Sequence, residues 1–385
     1  MRTSALYIAR PHFRSDEDSA FSGDLMERQK VARKLSSYVN RLRHGCTIAI
    51  DAPWGAGKSW FGRHWQKQLQ QEGHKTIYVD AFESDYVEDP FAVLAASIYH
   101  SIEHDKSADE KSAPFLKRAV EAFKILLPGA AKLATHGVGV GIAKKLGVEE
   151  EVKELADEVR EVISESVHRH LTSQIKGAED DRKKLESFRQ ALYEYAGEQE
   201  RPIVFFIDEL DRCKPDFAVR MIERVKHLFH VPNLVFVLLL NREQLEHAIR
   251  GVYGSEVGAS NYLGKFIHFF FSLPTYTSRQ FNSRTPLRRF VMETLNMYQF
   301  TAREIADYSE TFTFYAHKLE LTLRDIEKAV ALTSIGADGQ GAAQDLIIWL
   351  SVLKVKHPQM FERILRGDRD ANGWAVPMQF EGTYC

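Results

Sequence analysis

The 385-residue chain is 44% apolar and 27% charged, the balance of an ordinary globular protein long enough for two or three packed domains. Its 51 basic and 53 acidic side chains leave a net charge of −2, which gives no hint of a nucleic-acid or membrane surface. Cys46, Cys213 and Cys385 form no C-x-x-C pair, which sets aside a disulfide framework and a cysteine zinc site and fits a reducing cytoplasm.

Residues 1–14 are broken by Arg2, Arg10 and His12 and hold no apolar core of a signal peptide. Met26, Val31, Leu35, Tyr38 and Leu42 recur at helical spacing, so a helix is expected from about Asp24 to Leu42. A strand over residues 46–51 follows. It leads into Ala52-Pro53-Trp54-Gly55-Ala56-Gly57-Lys58-Ser59-Trp60, and Phe61, Trp65 and Leu69 then mark one helix face.

That strand–loop–helix run is the context of a phosphate-binding loop. Small residues let backbone N–H groups curl around phosphate oxygens, Lys58 would reach the β- and γ-phosphates, and the Ser59 hydroxyl would hold Mg²⁺. Ala52 stands where the pattern has its first glycine, a position alanine can fill if φ is negative.

Gly73 should end the helix, Thr76 to Ala81 reads as a second strand, and Asp89-Pro90 starts a helix with Phe91, Leu94, Ala95, Ile98 and Ile102 inside. His100-x-x-Glu103-His104 spells a metal-protease pattern, but both histidines lie off this apolar face and read as a solvated pair. His168-Arg169-His170 reads as a polar helix face.

Residues 105–200 are rich in Lys and Glu. Stripes at Val152, Leu155, Val159, Val162 and Ile163, and at Leu185, Phe188, Leu192 and Tyr195, predict a helical insertion with a hinge around Pro128 to Gly147. Phe123 to Leu146 is its most membrane-like stretch, but Lys124, Lys132, His136, Lys144 and Lys145 interrupt it, so no span is expected. Peripheral membrane contact, or docking of a partner or a second copy, stays open there.

Arg201 to Asp208 and Leu234 to Leu240 are buried strands, and Lys265 to Leu273 is expected to be another. Residues 286–366 read as helices. The aromatic clusters Phe266–Phe271 and Phe312–Tyr315 are expected in the core. The Arg41-x-Arg43 and Arg284–Arg289 clusters could touch nucleic acid, but the overall charge argues against a large footprint, so nucleic acid is a possible partner and not the favoured one.

Val204-Phe205-Phe206-Ile207-Asp208-Glu209 carries two acids to the end of a buried strand. Asp208 would hold Mg²⁺, and Glu209 would take a proton from the attacking water. Asn241, after the next strand, is either a water-orienting residue or a turn residue. Asn241-Arg242-Glu243 lacks the guanine-reading N-K-x-D, so ATP is favoured over GTP. Arg212 and Arg242 could act in trans as arginine fingers or pair with Asp211 or Glu243.

The run Pro53 to Ser59 and the run Ile207-Asp208-Glu209-Leu210-Asp211-Arg212-Cys213-Lys214-Pro215 resemble the KAP family of P-loop NTPases. Supporting matches are Asp24-Leu25-Met26-Glu27-Arg28, Tyr262-Leu263-x-Lys265-Phe266-Ile267 running to Leu273-Pro274, and Leu323-Arg324-Asp325-Ile326-Glu327. The resemblance spans about residues 20–355.

It implies an AAA+-like α/β P-loop core of the additional-strand class: a parallel central sheet flanked by helices, with the acid strand beside the phosphate-loop strand. It also implies a helical insertion between the motifs, where many members carry membrane helices, and a C-terminal helical lid. In that lid Arg324 resembles an arginine that senses the γ-phosphate, and the family's residue at Asn241 is more often Asp. Bacterial members are associated with phage exclusion and defence.

The expected organisation is a core in two parts (1–104 and 201–280), the insertion (105–200) and a helical domain (281–385). The expected function is an Mg²⁺-dependent ATPase acting as a conformational switch or assembly factor. An ATP-gated scaffold with little turnover and a P-loop kinase are the alternatives.

Overall fold

The computed structural model describes residues 19–87, 89–103, 186–226, 228, 230–274, 285–336 and 344–367. The expected elements at Pro128–Gly147, from Val152 to Ile163, at Phe123–Leu146 and at His168–His170 lie outside these residues, as do His104, Leu185 and Arg284 and the side chains of His100, Ile102 and Glu103.

Helix α1 (Gln29–Val39) precedes β1 (Cys46–Asp51), α2 (Lys58–Gln71) and β2 (Thr76–Asp80). After α3 (Pro90–Glu103) and the helical residues 186–197 (α4) come β3 (Ile203–Asp208), α5 (Pro215–Lys226), β4 (Leu234–Leu240), α6 (Arg242–Tyr253), α7 (Ala259–Leu263) and β5 (Phe269–Ser272). The C-terminal helices are α8 (Pro286–Met297), α9 (Ala302–Lys318), α10 (Leu323–Gly336), α11 (Gln344–Lys356) and α12 (Pro358–Leu365).

The five strands form one parallel sheet in the order β2-β3-β4-β1-β5. This corrects the expectation that the acid strand lies beside the phosphate-loop strand. β1 pairs with β4 on one side and β5 on the other, so β4 separates it from β3. The seven residues of β4, Leu-Val-Phe-Val-Leu-Leu-Leu, are all buried, and such a run suits the centre of a parallel sheet.

Period-two alternation divides the core. Phe205, Ile207, Phe236 and Leu238 face the layer of α3, α4, α5 and α6. Val204, Phe206, Val235, Val237 and Leu239 face α1 and α2. Phe188, Leu192 and Tyr195 of α4 are buried in the first layer as expected, with Phe188 edge-on to Phe91 at 5.7 Å. A third cluster, including Leu287, Val291, Phe312, Ile326, Val330 and Trp349, joins α8 to α11. Among the described residues no helix is long and apolar enough to cross a membrane.

Two expected elements shift their bounds. Helix α1 starts at Gln29 rather than Asp24, because Glu27 takes φ +57° and the Asp24 carboxylate accepts the N–H groups of Arg28 and Gln29. β5 is shorter than Lys265–Leu273, because the N–H groups of Phe266 and Ile267 both turn back to Leu263 O. Phe266 and Ile267 are buried from that turn, and so are Phe312 and Tyr315, but Phe269 on the strand is half exposed rather than core. Gly73 (φ +85°) closes α2, and Asp89 Oδ1 accepts Phe91 N at 3.0 Å at the start of α3, both as expected.

His74 is buried at the start of the sheet, with Nδ1 2.7 Å from Pro202 O and Nε2 2.7 Å from Asn40 Oδ1. Burial is the main cause holding its pKa below 6.5. A depressed histidine contributes stability that is fully present above the unfolded-state pKa and is lost as pH falls toward the folded value. The unfolding midpoint of wild type should therefore fall more than that of His74→Gln between pH 7 and pH 5, by about 1–3 °C in a thermal melt. Equal falls would show that His74 is not a source of acid sensitivity.

Candidate nucleotide site

The phosphate loop joins β1 to α2. Gly55 (φ +79°) and Gly57 (φ +83°) occupy left-handed conformations that a side chain would strain. Ala52 is buried and is not among the positive-φ residues, so the first glycine of the pattern is not needed here. Pro53 O accepts Ala56 N at 3.2 Å, which curls the loop. Lys58 begins α2, and its Nζ donates to Ala52 O at 2.7 Å and Pro53 O at 3.3 Å. Burial lowers the Lys58 pKa, while Asp211, Asp208 and Asp51 oppose this.

Ser59 and Asp208 meet although β4 lies between their strands. The side chain of Ser59, in the first turn of α2, comes close enough to the carboxylate of Asp208, the last residue of β3, to favour its ionised form. Gly62 permits the approach: a Cβ there would sit 2.2 Å from Leu239 Cδ1 on β4 and 3.2 Å from the Tyr78 hydroxyl on β2. Without a side chain at Gly62, α2 lies low over the sheet and its start reaches the acid strand.

Asp208 is 3% exposed. Tyr78 O–H donates to its Oδ2 at 2.7 Å, and Glu209 N–H donates to its Oδ1 at 2.8 Å. Burial raises its pKa, while Tyr78, Ser59 and the Glu209 N–H pull the other way. The Tyr78 ring stacks on Phe206 at 5.7 Å and lies under the Arg63 guanidinium, 3.6 Å from the ring centroid. These layers fix the hydroxyl that orients Asp208.

Glu209 turns the chain out of β3 with φ +59°, and its carboxylate pairs with Arg212 Nη1 at 2.9 Å. Burial, then the charge of Asp80, raises the Glu209 pKa. Arg212 thus pairs with Glu209 rather than Asp211. The Asp211 carboxylate accepts the indole N–H of Trp54, so the turn after the acid strand touches the phosphate loop. The ring of Trp60 is engaged by His64 and Phe21.

Asn241 follows β4, and the strand order places it between the two motifs. Its Oδ1 caps α6, accepting Glu243 N at 3.1 Å and Gln244 N at 3.4 Å. The Arg242 guanidinium is held by Glu246 (2.9 Å) and Ser260, not by Glu243, and lies over the Phe270 ring.

The helical lid reaches the loop through its backbone. Arg324 N donates to Gly55 O at 3.2 Å, and a Cβ at Gly55 would lie 2.7 Å from both Arg324 Cβ and Thr322 Oγ1. Thr322 and Asp325 cap this end of α10 reciprocally. The side chain of Arg324 is exposed.

Composition and motif spacing pointed to Lys58, Ser59, Asp208 and Glu209, which converge here. The local pattern assigns no role to Tyr78, Arg63, Thr322 or Gly62, and Arg28 enters it only within a lead-in motif. Tyr78 and Gly62 carry no local pattern, and their significance arises from cross-strand and helix–sheet packing. Arg28 alone had a cue, in the Asp24-to-Arg28 motif.

The geometry suits a hard divalent cation: a hydroxyl beside a buried carboxylate oriented by Tyr78 O–H and Glu209 N–H, with the charge of Asp80 acting on both Asp208 and Glu209. Among the described residues no group of three or more His, Cys, Asp or Glu forms a metal cage. Ser59 and Asp208 would therefore hold the metal together with the oxygens of a bound phosphate ligand.

No curated protein matches the sequence. Two solved structures of the Aeropyrum pernix ORC2 protein are similar in outline. One, its ADPNP–ADP complexes, shows 12% identity and a TM-score of 0.39 over 89% of this chain and 73% of that one. The other, its ADP form, shows 11% identity and a TM-score of 0.37 over 91% and 72%. Both scores are too low to carry function across. A model of the KAP family P-loop domain matches residues 28–335, most of the chain and both motifs. The chain therefore belongs to the KAP family of P-loop NTPases, a nucleotide-binding fold.

Proposed function

We propose that this chain binds ATP with Mg²⁺ and hydrolyses it, and that the helical lid reads the nucleotide state. The observation that carries the reading is the approach of the Ser59 side chain to the buried Asp208 carboxylate, with Lys58 and Glu209 adjoining them. ATP is preferred to GTP because no guanine-reading motif follows β4.

Backbone N–H groups of the loop and the Lys58 ammonium bind the phosphates. To do so, Lys58 leaves Ala52 O and Pro53 O for the stronger acceptors of the triphosphate. Glu209 accepts a proton from water as the water oxygen bonds to the γ-phosphorus. The bond from that phosphorus to the β–γ bridging oxygen breaks, and ADP and phosphate leave. The pKa of Glu209, raised by burial, makes it a better proton acceptor than an exposed carboxylate. The metal, when bound, would offset charge on the phosphate oxygens, while Asp208 and Ser59 hold it.

The proposed boundaries are a core over 1–104 and 201–280, an insertion over 105–200 and a lid over 281–385. Arg324 is proposed as the lid's phosphate sensor and Asn241 as a water-orienting cap. A role in defence rests on the family resemblance alone.

A second reading, an ATP-gated scaffold with little turnover, draws on one observation: Glu209 is already engaged by Arg212. Phosphate release from ATP by purified protein, with and without Mg²⁺, separates the two. Metal-dependent release supports the hydrolase. Saturable ATP binding without release supports the scaffold and contradicts hydrolysis.

A further inference from the structure

Arg28 precedes α1, outside both nucleotide motifs, yet its guanidinium lies against the phosphate loop. Nη1 donates to Gly57 O at 2.9 Å and Nη2 to Ala56 O at 2.5 Å. The residue is 4% exposed, and its buried Nε has no hydrogen-bond partner. Gly57 makes room for it, since a Cβ there would come within 2.6 Å of Nη1.

Among the described residues no carboxylate forms an ion pair with this cation. Asp24 acts on it at longer range, and both oxygens of Asp24 already accept backbone N–H groups. A buried guanidinium facing only carbonyls is costly, and burial lowers the Arg28 pKa to about 10. A counter-charge brought to the other face of the loop would relieve that cost. Beside Arg28, Glu27 pairs with Arg289 of α8 at 3.1 Å, so one short segment ties the phosphate loop to the lid.

The geometry points to Arg28 as a positioning residue of the nucleotide site. It fixes the carbonyls of Ala56 and Gly57 so that the loop's N–H groups present themselves to phosphate, and it supplies an uncompensated positive charge that favours the ligand of higher charge. This rests on the nucleotide reading proposed above. It predicts that Arg28 helps set the preference for nucleoside triphosphate over diphosphate, because a lost unit charge costs more against the more highly charged ligand.

The test is equilibrium binding of ATP and ADP to wild type, Arg28→Gln and Arg28→Lys. Arg28→Gln keeps an amide donor without the charge and should weaken ATP about tenfold or more, and ADP by a distinctly smaller factor. Arg28→Lys keeps the charge without the two-pronged bond and should keep the wild-type ratio of ATP to ADP affinity. If Arg28→Gln does not fold, Arg28→Met, which removes the charge and keeps an apolar stem, decides in its place: a reduced ATP-to-ADP affinity ratio supports the inference and an unchanged ratio overturns it. An Arg28→Gln protein that binds both ligands as wild type does, or weakens both by the same factor, overturns it, since a purely structural role would not change the ratio. Failure of the wild type to bind either nucleotide would overturn the nucleotide reading as well, a result distinct from an unchanged ratio.

Discussion

Glu209→Gln is expected to abolish ATP turnover while leaving ATP binding intact. The amide matches the carboxylate in size and keeps the left-handed turn that Glu209 makes after β3. It cannot accept a proton from water, and general-base catalysis contributes about 10²–10⁴-fold. Phosphate release should fall by about that factor, with ATP affinity within about threefold of wild type. The raised pKa adds a pH signature. Acid should switch off wild-type turnover earlier than an ordinary glutamate would, because the base must be ionised and burial favours its protonated form. Turnover in Glu209→Gln within a few-fold of wild type would remove Glu209 from the mechanism.

Gly55→Ala is expected to damage nucleotide binding and the lid together. At φ +79° any side chain is strained, by about 1–2 kcal/mol. The added methyl would also enter space held by Arg324 Cβ and Thr322 Oγ1, each 2.7 Å away. The start of α10 must then retreat and lose the hydrogen bond from Arg324 N to Gly55 O. ATP affinity should drop about tenfold or more, and amide exchange over residues 322–326 should rise even without nucleotide. Lost affinity with unchanged exchange would show that the loop is strained but the lid is not latched to it. Unchanged affinity and exchange would contradict both parts.

Much of the core is legible in the sequence because it is written locally. The apolar run of β4, the two acids at the end of β3 and the glycine–lysine–serine loop each declare themselves within a few residues, and their structural contexts are those expected. The order of the strands is not local. Nothing near Asp208 says that β4 will part it from β1, and the inference from family resemblance placed it wrongly. The limits of α1 and β5 were missed for a related reason, since single residues decide them: the positive φ of Glu27 and the turn at Leu263. Arg28, Tyr78 and Gly62 gain their meaning only when distant elements pack. Arg28 is a helix-leading arginine in the sequence and a buried cation under the phosphate loop in the fold.

The most direct measurement is an equilibrium titration of ATP, with Mg²⁺ present, into wild type and Lys58→Ala by calorimetry. The account predicts saturable binding to wild type and a loss of about 1.5–3 kcal/mol in Lys58→Ala, roughly 10–150-fold in affinity, with the fold intact by thermal melt. No binding to wild type, or equal binding to both proteins, would contradict the claim that this loop is a working nucleotide site.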